Sequence, residues 1–238
     1  MIYIIMLILT SYLLGAIPSA YLVGKIFKKI DLREHGSGNL GSTNAFRILG
    51  IPLGILVQIL DIAKGLVVVL VVSGFFYQNL PFENITPFDD ITIIKIIAGV
   101  SAVIGHTFSV FTSFRGGKGI NTALGMMISL SPVEISISVG FFILILLSSG
   151  YVSLGSIIAS SMVPAVMFIR ENIFNVEIDG YKTLIVFTIL TALFIIYNHR
   201  KNIKRLLYGN ESRFESLWLI RIFNIRAPLK NKVKSSIK

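Results

Sequence analysis

The 238-residue chain has no cysteine, and only 14% of its residues are charged. The missing cysteine excludes disulfides, thiolate metal ligands and a cysteine nucleophile. Soluble domains carry about 25% charged residues. The low charge, together with a hydrophobic content of 54%, therefore indicates an integral membrane protein.

The chain also lacks an internal repeat, which argues against a transporter assembled from inverted halves. No basic residue precedes the apolar run from Met1 to Val23. A secretory signal begins with such residues, so we expect this run to remain in the protein as a transmembrane helix.

Apolar stretches occur along most of the chain. A transmembrane helix needs about 20 apolar residues. The sequence predicts an all-α polytopic membrane protein with seven transmembrane helices, the fourth short or partly embedded. The predicted spans are Ile2–Val23, Ile51–Tyr77, Ile91–Val110, Asn121–Leu130, Val133–Ser149, Tyr151–Ile169 and Lys182–Tyr197.

Basic residues collect on one side of these spans. They lie in the 24–48 loop, in the 111–120 loop and after Tyr197, where 11 of the 22 Lys and Arg are found. Because basic loops stay in the cytosol, we predict an external N-terminus and a cytosolic C-terminus. The net charge of +10 then fits a membrane surface better than nucleic acid, which we do not expect as a partner.

The chain divides into a transmembrane domain, 1–211, and a basic cytosolic tail, 212–238. In the tail, aromatic and aliphatic residues alternate with arginines, as in a helix that lies in the membrane interface. A disordered basic extension is the alternative, especially beyond Pro228.

The most distinctive polar segment is Gly36-Ser-Gly-Asn-Leu-Gly-Ser-Thr-Asn-Ala-Phe-Arg47. Glycines let main-chain N–H groups converge on an anion, and Ser, Thr and Asn supply further hydrogen bonds. Arginine adds a two-pronged donor. The segment is therefore predicted to hold a phosphate or a similar anion at a membrane surface.

Two further polar segments carry candidate residues. Phe114-Arg-Gly-Gly-Lys-Gly119 lacks the spacing of a nucleotide P-loop, but its amides and ammonium group favour an anion. A flexible basic turn is the alternative. Beyond the last span, His199 and Asn202 would share a face if the helix continues. A basic anchor with an incidental histidine is the alternative there.

Ionisable residues also interrupt the apolar spans. Asp61 and Lys64 stand three residues apart, and charges at that depth are costly, so we expect the pair to face the bundle interior. A structural role, in which the two charges neutralise each other, is favoured, and support of the site from behind is the alternative. His106 is expected to be a packed core histidine, with support of the site residues as the alternative. Ser153 lies at a predicted helix start, where capping and ligand contact are both open.

The predicted topology places every glycine-rich polar segment on the cytosolic side, where we expect segments 36–50, 114–119, 150–156 and 198–211 to line a single site. They contain no acid–His–Ser order, paired carboxylate or cluster of metal ligands, so covalent and metal catalysis are disfavoured. A site rich in anion binders and poor in nucleophiles favours attack by a substrate hydroxyl on an activated partner.

These segments resemble the motifs of the bacterial membrane acyl-phosphate:glycerol-3-phosphate acyltransferases. Gly36–Arg47 resembles the first motif, and Gly105–Gly119 resembles the second. Ser153–Ser156 and His199–Glu211 resemble the third region. The order is kept over about 1–211, and the family has seven spans with an external N-terminus. Ser109 departs from the pattern, which has proline there, and this puts the rigidity of the loop in doubt.

The resemblance implies transfer of a fatty acyl group from acyl phosphate to the 1-hydroxyl of sn-glycerol 3-phosphate, giving lysophosphatidic acid and phosphate in phospholipid biosynthesis. Acyl-CoA is not the family's donor, and no cofactor or metal is implied. The expected partners are these two substrates and the lipid bilayer. The expected location is the bacterial inner (plasma) membrane, with the active site facing the cytosol. Acyl-chain preference, oligomeric state and the proton acceptor stay open.

The same resemblance implies roles for individual residues. Ser37 would polarise the acyl phosphate, while the basic residues and amides would bind phosphate, and Glu211 would fasten the basic tail. The expected catalytic residues are Ser37, Arg47, Lys118, His199 and Asn202. The expected substrate-binding residues are Gly36, Gly38, Asn39, Asn44, Gly116, Gly117, Gly119, Ser153 and Glu211.

Two functions of other classes remain open at this level. A permease for an organic phosphate would also place cationic residues at a membrane mouth, although only Asp61 and Lys64 lie deep in the predicted spans. A scaffold that binds anionic lipid through its tail is the other. Truncation after Glu211 would separate the scaffold from the enzyme.

Overall fold

The protein is described from a computed structural model, which defines residues 2–79, 87–211 and 213. The predicted tail falls almost wholly outside this part. Within it every regular element is helical, as the composition predicts. The α-helices are α1 (Ile2–Ala16), α2 (Ser19–Val23), α3 (Ser42–Leu49), α4 (Ile51–Val67), α5 (Ser73–Tyr77), α6 (Asp90–Thr107), α7 (Ile120–Leu130), α8 (Pro132–Ser149), α9 (Val152–Asn172), α10 (Tyr181–Asn198) and α11 (Arg200–Leu207).

Shorter helical turns connect several of these helices. Two π-helical stretches, Gly24–Lys28 and Val68–Val72, extend α2 and join α4 to α5. Two 3₁₀ turns, Leu32–Glu34 and Val110–Thr112, lie in the polar loops. The apolar segment 51–77 is thus helical throughout, as predicted.

Among the residues that the structure describes, six helical segments are long and apolar enough to cross a membrane. Helix α7 is apolar but has only 11 residues, which rise about 16 Å against a hydrocarbon core of about 30 Å. The several long apolar helices are confirmed, whereas the seven-span count and the orientation stay predictions. The six segments are Ile2–Lys28, Ile51–Tyr77, Asp90–Thr112, Pro132–Ser149, Val152–Asn172 and Tyr181–Asn198.

The first predicted span, Ile2–Val23, is broken about three quarters of the way along. Helix α1 ends at Ala16 and α2 begins at Ser19, because Pro18 has no N–H to continue the hydrogen-bond ladder. Side chains from other segments complete the hydrogen bonding at the break. Ser109 Oγ donates to the carbonyl of Ala16 (2.5 Å), and Lys64 Nζ donates to that of Ile17 (3.1 Å).

The described residues form two compact units: those up to Ser136 together with Met167–Phe187, and those of Ile137–Val166 together with the described residues from Thr188 onward. In the first unit, α1 packs on α6 and α4 packs on α7. Glycines allow both contacts, since a Cβ on Gly15 would overlap the carbonyl of Ala102 and one on Gly65 would overlap that of Thr122. Close backbone packing of small residues therefore fixes the frame that carries the first two motifs.

Two apolar clusters fill this unit. One lies between α1, α6 and the second π-helical stretch and includes Leu7, Val68 and Ala98. The other packs Ala45 of α3 and Val57 of α4 beneath the polar 31–41 segment. That segment is therefore attached to the helices by its own buried residues, which are Leu32 and Leu40.

In the second unit the polar residues surround the start of α9. Gly155, on the first turn, packs against Phe142 of α8. Helix α10 ends at Asn198, and α11 follows after a break at His199. The helix is therefore interrupted at His199, which is one of the two positions that a continuous helix would place on one face.

Candidate functional site

The 31–41 segment is held by Asp31 at its start. This carboxylate caps the 3₁₀ turn by accepting from Arg33 N (3.0 Å), and it pairs with the Arg33 guanidinium at 2.8 Å. The hydrogen bond from the Arg33 side chain, which outweighs the opposing effect of burial, lowers the pKa of Asp31 to about 2. The segment thus begins at an Asp31–Arg33 ion pair, whose carboxylate stays ionised near neutral pH.

Asn44 holds the middle of the segment. Its side chain is 2% exposed; Oδ1 accepts from Ser37 N (3.0 Å), and Nδ2 donates to the carbonyls of Leu32 (3.3 Å) and His35 (3.1 Å). Because both ends of the amide are engaged inside the protein, Asn44 shapes the loop from below.

The glycines on either side of Ser37 are required by the loop's backbone. Gly36 and Gly38 have φ of 63° and 69°, which favour glycine. A Cβ on Gly36 would also collide with Asn44 Oδ1. Ser37 is therefore presented at an exposed position between two residues that cannot readily be replaced.

The first two motifs meet at the starts of two helices. Asn121 Nδ2, in the first turn of α7, donates to Ser42 Oγ, the first residue of α3 (2.9 Å). Each helix is preceded by a glycine, Gly41 or Gly119. Helix starts carry free N–H groups and the positive end of the helix dipole, so their junction favours an anion.

The second loop folds back onto the end of α6. Gly116 N donates to the carbonyl of Thr107, and Gly117 N donates to that of His106, both at 3.1 Å. A Cβ on Gly117 would overlap His106 Nε2, while Gly119 has φ of 75°. The Gly-Gly-Lys-Gly sequence is thus needed for close packing and for the turn into α7.

Arg47 and Lys118 are exposed, and neither has an ion pair or hydrogen bond within residues 2–79, 87–211 and 213. Two other cations in the same unit are engaged: Arg33 binds Asp31, and Lys64 binds Asp61. The two motif cations are therefore free to bind a phosphate group.

Asp61 and Lys64 face the interior, as predicted. Their side chains are 1% and 8% exposed, and Lys64 Nζ lies 3.0 Å from Asp61 Oδ1. His106 is also buried, as expected of a core histidine, and its Nδ1 lies 3.5 Å from the same oxygen. Asp61 thus binds two residues, one of which is packed under the second loop.

Glu211 organises the polar residues of the second unit. Its Oε1 accepts from Ser153 Oγ and Asn202 Nδ2, both at 2.8 Å, and its Oε2 accepts from Arg205 Nε at 2.6 Å. Burial by itself would raise the pKa of Glu211, but the three donors lower it to about 2. Its partner Arg205 belongs to α11, so the expectation that Glu211 fastens the basic tail stays a prediction.

His199 occupies the break between α10 and α11 and is half-buried. Its Nδ1 lies 2.8 Å from the carbonyl of Ile195. A carbonyl only accepts, so Nδ1 carries the proton and Nε2 of the neutral ring has a free lone pair. Nε2 is therefore the atom available to a substrate.

Within each unit, the structure links some of the segments that carry the expected residues. In the first, the Gly36–Arg47 segment and the Gly116–Gly119 loop meet at Ser42 and Asn121. In the second, Ser153, Asn202 and Glu211 form one network. The prediction that all of these residues line a single site stays a prediction.

Sequence reasoning did not single out Ser42 or Asn121. Ser42 directly follows Gly41, and Asn121 stands two residues after Gly119. This position, just after a glycine at a helix start, is the signal that the sequence offers. The sequence favours a structural role for Asp61, with support of the site as the alternative, but it does not show that Asp61 reaches the second loop through His106.

Comparison with known proteins identifies a matching family and several similar proteins. The family model described as Glycerol-3-phosphate acyltransferase matches residues 5–209. A glycerol-3-phosphate acyltransferase of Chlorobaculum tepidum is 42% identical over 223 residues, which cover 87% of this chain and 94% of the relative. One from Chlorobium phaeobacteroides is 42% identical over 232 residues, with coverages of 90% and 98%.

Solved structures agree with the sequence comparison. The crystal structure of PlsY (YgiH), an integral membrane glycerol 3-phosphate acyltransferase, in its glycerol 3-phosphate form is 34% identical. It covers 93% of this chain and 98% of its own, with a TM-score of 0.64. The lysophosphatidic acid form is 33% identical, with coverages of 92% and 98% and a TM-score of 0.66.

Proposed function

The chain belongs to the glycerol-3-phosphate acyltransferase family, and we propose that it uses acyl phosphate as the donor and acylates the 1-hydroxyl of sn-glycerol 3-phosphate. The observation that carries the proposal is the junction of α3 and α7. Two helix starts meet there. Lys118 lies two residues before the start of α7, Arg47 lies in the last turn of the eight-residue α3, and neither cation has a partner among the described residues. Such a junction suits substrates that both carry phosphate.

The reaction needs no group from the protein to become covalently bound. The hydroxyl oxygen of glycerol 3-phosphate forms a bond to the acyl carbonyl carbon, and the bond from that carbon to the phosphate oxygen breaks. The electron pair leaves with phosphate, and the hydroxyl proton is balanced by protonation of the departing phosphate. Because the donor is a mixed anhydride, alignment and charge stabilisation are sufficient.

The first unit would bind and polarise phosphate. Arg47 and Lys118 supply charge, and Ser37 offers a hydroxyl and fixed neighbouring amides toward the acyl phosphate. Gly36, Gly38, Asn39, Gly116, Gly117 and Gly119 contribute backbone that can approach a ligand closely. Asn44, whose amide is engaged internally, is proposed to act by holding Ser37 in place.

The second unit would bind substrate through His199 and Asn202. With one N–H directed at Glu211, Asn202 keeps one N–H and its carbonyl oxygen for a ligand. His199 offers Nε2, as an acceptor when neutral and a donor when protonated. Ser153 assists, and Glu211 holds Ser153 and Asn202 in orientation.

We place the enzyme in the bacterial plasma membrane with seven crossings, an external N-terminus and its motifs toward the cytosol. The distribution of basic residues supports this orientation. The absence of cysteine makes it testable, because single cysteines can be introduced without removing others. In intact cells, a membrane-impermeant thiol reagent should label Asp179→Cys and spare Lys28→Cys; the reverse would overturn the orientation.

The donor is tested with purified protein in detergent. Inorganic phosphate should be released from palmitoyl phosphate only when glycerol 3-phosphate is present, with lysophosphatidic acid formed in equal amount. Palmitoyl-CoA should give no product. Product from palmitoyl-CoA but not from palmitoyl phosphate would contradict the proposed donor and leave the family assignment intact.

A further inference from the structure

We propose that Asp61 and His106 are positioning residues for the reaction, because they hold the Gly117–Lys118 turn in the conformation that binds phosphate. This inference rests on the proposed function of that turn. Neither residue is expected to touch substrate. Their role follows from a chain of contacts that runs from an apolar helix to the loop carrying Lys118.

The first contact is between Asp61 and His106. Asp61 lies ten residues into α4, about 15 Å from its start at 1.5 Å per residue. His106 belongs to the last turn of α6, and its Nδ1 lies 3.5 Å from Asp61 Oδ1. At this distance the attraction is between a carboxylate and a ring N–H dipole, and it sets which way the imidazole faces.

The second contact is between His106 and Gly117. The opposite ring atom, Nε2, lies so close to Gly117 Cα that no Cβ fits between them. The carbonyl of His106 also accepts from Gly117 N at 3.1 Å. Ring and main chain of one residue therefore grip Gly117 from two sides, directly before Lys118.

Lys64 holds Asp61 in place at the end of this chain of contacts that lies away from the loop. Its ammonium lies 3.0 Å from Asp61 Oδ1 and donates to the carbonyl of Ile17 at the break between α1 and α2. Neither oxygen of Asp61 has a well-directed hydrogen-bond donor within the described residues. The carboxylate is thus held mainly by charge, and it cannot be shifted without disturbing both Lys64 and His106.

Such a cluster is expensive in an apolar helix, where a hydrophobic side chain would cost less. An ion pair alone would also need no histidine. His106 is the member that reaches the loop, and this explains why a buried carboxylate serves the site. Errors of about 1 Å in the position of a binding group can reduce rates by about a hundredfold.

The contact with Gly117 permits a test by compensation. Gly117→Ala places a methyl group against His106 Nε2. His106→Asn removes Nε2 while keeping an amide N–H near the position of Nδ1, so Asp61 keeps a donor. We expect Gly117→Ala to lower kcat/KM for one or both phosphate substrates by about tenfold to a hundredfold. In His106→Asn/Gly117→Ala the value should return close to that of His106→Asn.

Asp61→Asn supplies an independent arm. It should lower kcat/KM for the folded, monodisperse protein by about tenfold. His106→Leu should lower kcat/KM more than His106→Asn does. Gly74→Ala is the control for glycine replacement, since nothing lies within 4 Å of a Cβ there. Unchanged kcat/KM in Asp61→Asn, or an equal loss in the single Gly117→Ala and the double variant, would overturn the proposal.

The test also separates this inference from the proposed donor. If the wild-type protein does not turn over palmitoyl phosphate, the donor proposal fails, and the same variants are compared by the Kd for glycerol 3-phosphate in calorimetry. Weaker binding in Gly117→Ala that the second substitution restores would support positioning. Equal affinities in all variants, or no binding by the wild type, would overturn it.

Discussion

The main-chain N–H of Ser37 donates to Oδ1 of Asn44 across 3.0 Å, although the two residues are seven apart in the chain. Asn44 is buried, while Ser37 is exposed. An exposed serine is thereby fixed by its backbone and keeps its hydroxyl free. The first motif is therefore a shaped loop whose rigidity comes from a residue that does not face solvent.

Asn44→Ala should lower both stability and activity. The substitution removes three hydrogen bonds, at about 1 kcal/mol each: Ser37 N loses its acceptor, and the carbonyls of Leu32 and His35 each lose one of their donors. We expect a lower Tm in detergent and a fall in kcat/KM of at least about tenfold. Asn210→Ala, at an exposed asparagine, is the control. Activity equal to that of the control would show that the loop does not depend on Asn44.

Arg47→Ala and Lys118→Ala should each reduce kcat/KM by about a hundredfold or more, because each removes a charge-assisted contact to phosphate. Their Tm should stay close to wild type, since neither side chain has a partner in the described part of the chain. Lys182→Ala is the control, because it removes the same charge from an exposed residue on the predicted outer side and should leave kcat/KM unchanged. Full activity in either motif variant would remove that residue from the site.

Glu211→Gln should make stability less dependent on pH. The pKa of Glu211 is lowered from 4.5 to about 2, so its ionised form stabilises the folded protein above about pH 4.5, and this contribution is lost as pH falls toward 2. Near neutral pH the variant should have a lower Tm than wild type, and the difference should shrink between pH 4.5 and 2. Glu177→Gln, at an exposed carboxylate, is the control. A difference that does not vary with pH would contradict this account.

Ser109→Ala should lower the Tm more than Ser109→Pro. Alanine removes the hydrogen bond to the Ala16 carbonyl, which is worth about 1 kcal/mol, and adds no backbone constraint in its place. Proline removes the same bond, but the native φ of −67° suits its ring, and it reduces the freedom of the unfolded chain. Thermal unfolding of both variants in one detergent tests the order. A lower Tm for the proline variant would show that the turn cannot accept the ring.

The hydrogen bond of Ser109 bears on the rigidity of its loop, which the departure from the motif put in doubt. The family pattern has proline at this position, and its absence predicted a less rigid loop. In the structure Ser109 is 1% exposed and tied to the break after α1, so a side-chain hydrogen bond replaces the constraint of the ring. The departure from the motif changes how the turn is held and leaves the turn in place.

Hydropathy alone located most of the fold. Five of the long apolar segments were predicted within a few residues of the observed helices, because the length of an apolar run is a local property. The break at Pro18 was missed within the first predicted span, although the proline is visible. The observed helix at Ile120–Leu130 starts one residue before its prediction, but length cannot decide whether it crosses the membrane.

The sequence by itself determined the class of protein, its family and the polar segments that carry the candidate site, since these depend on composition and on short motifs. Only the tertiary structure decided which of their residues meet. The pairs Ser42 with Asn121 and Ser153 with Glu211 are separated by 79 and 58 residues. The approach of Asp61 to His106 depends on helices that pack through glycines. Such contacts are set by how whole helices pack, and no local pattern in the chain encodes them.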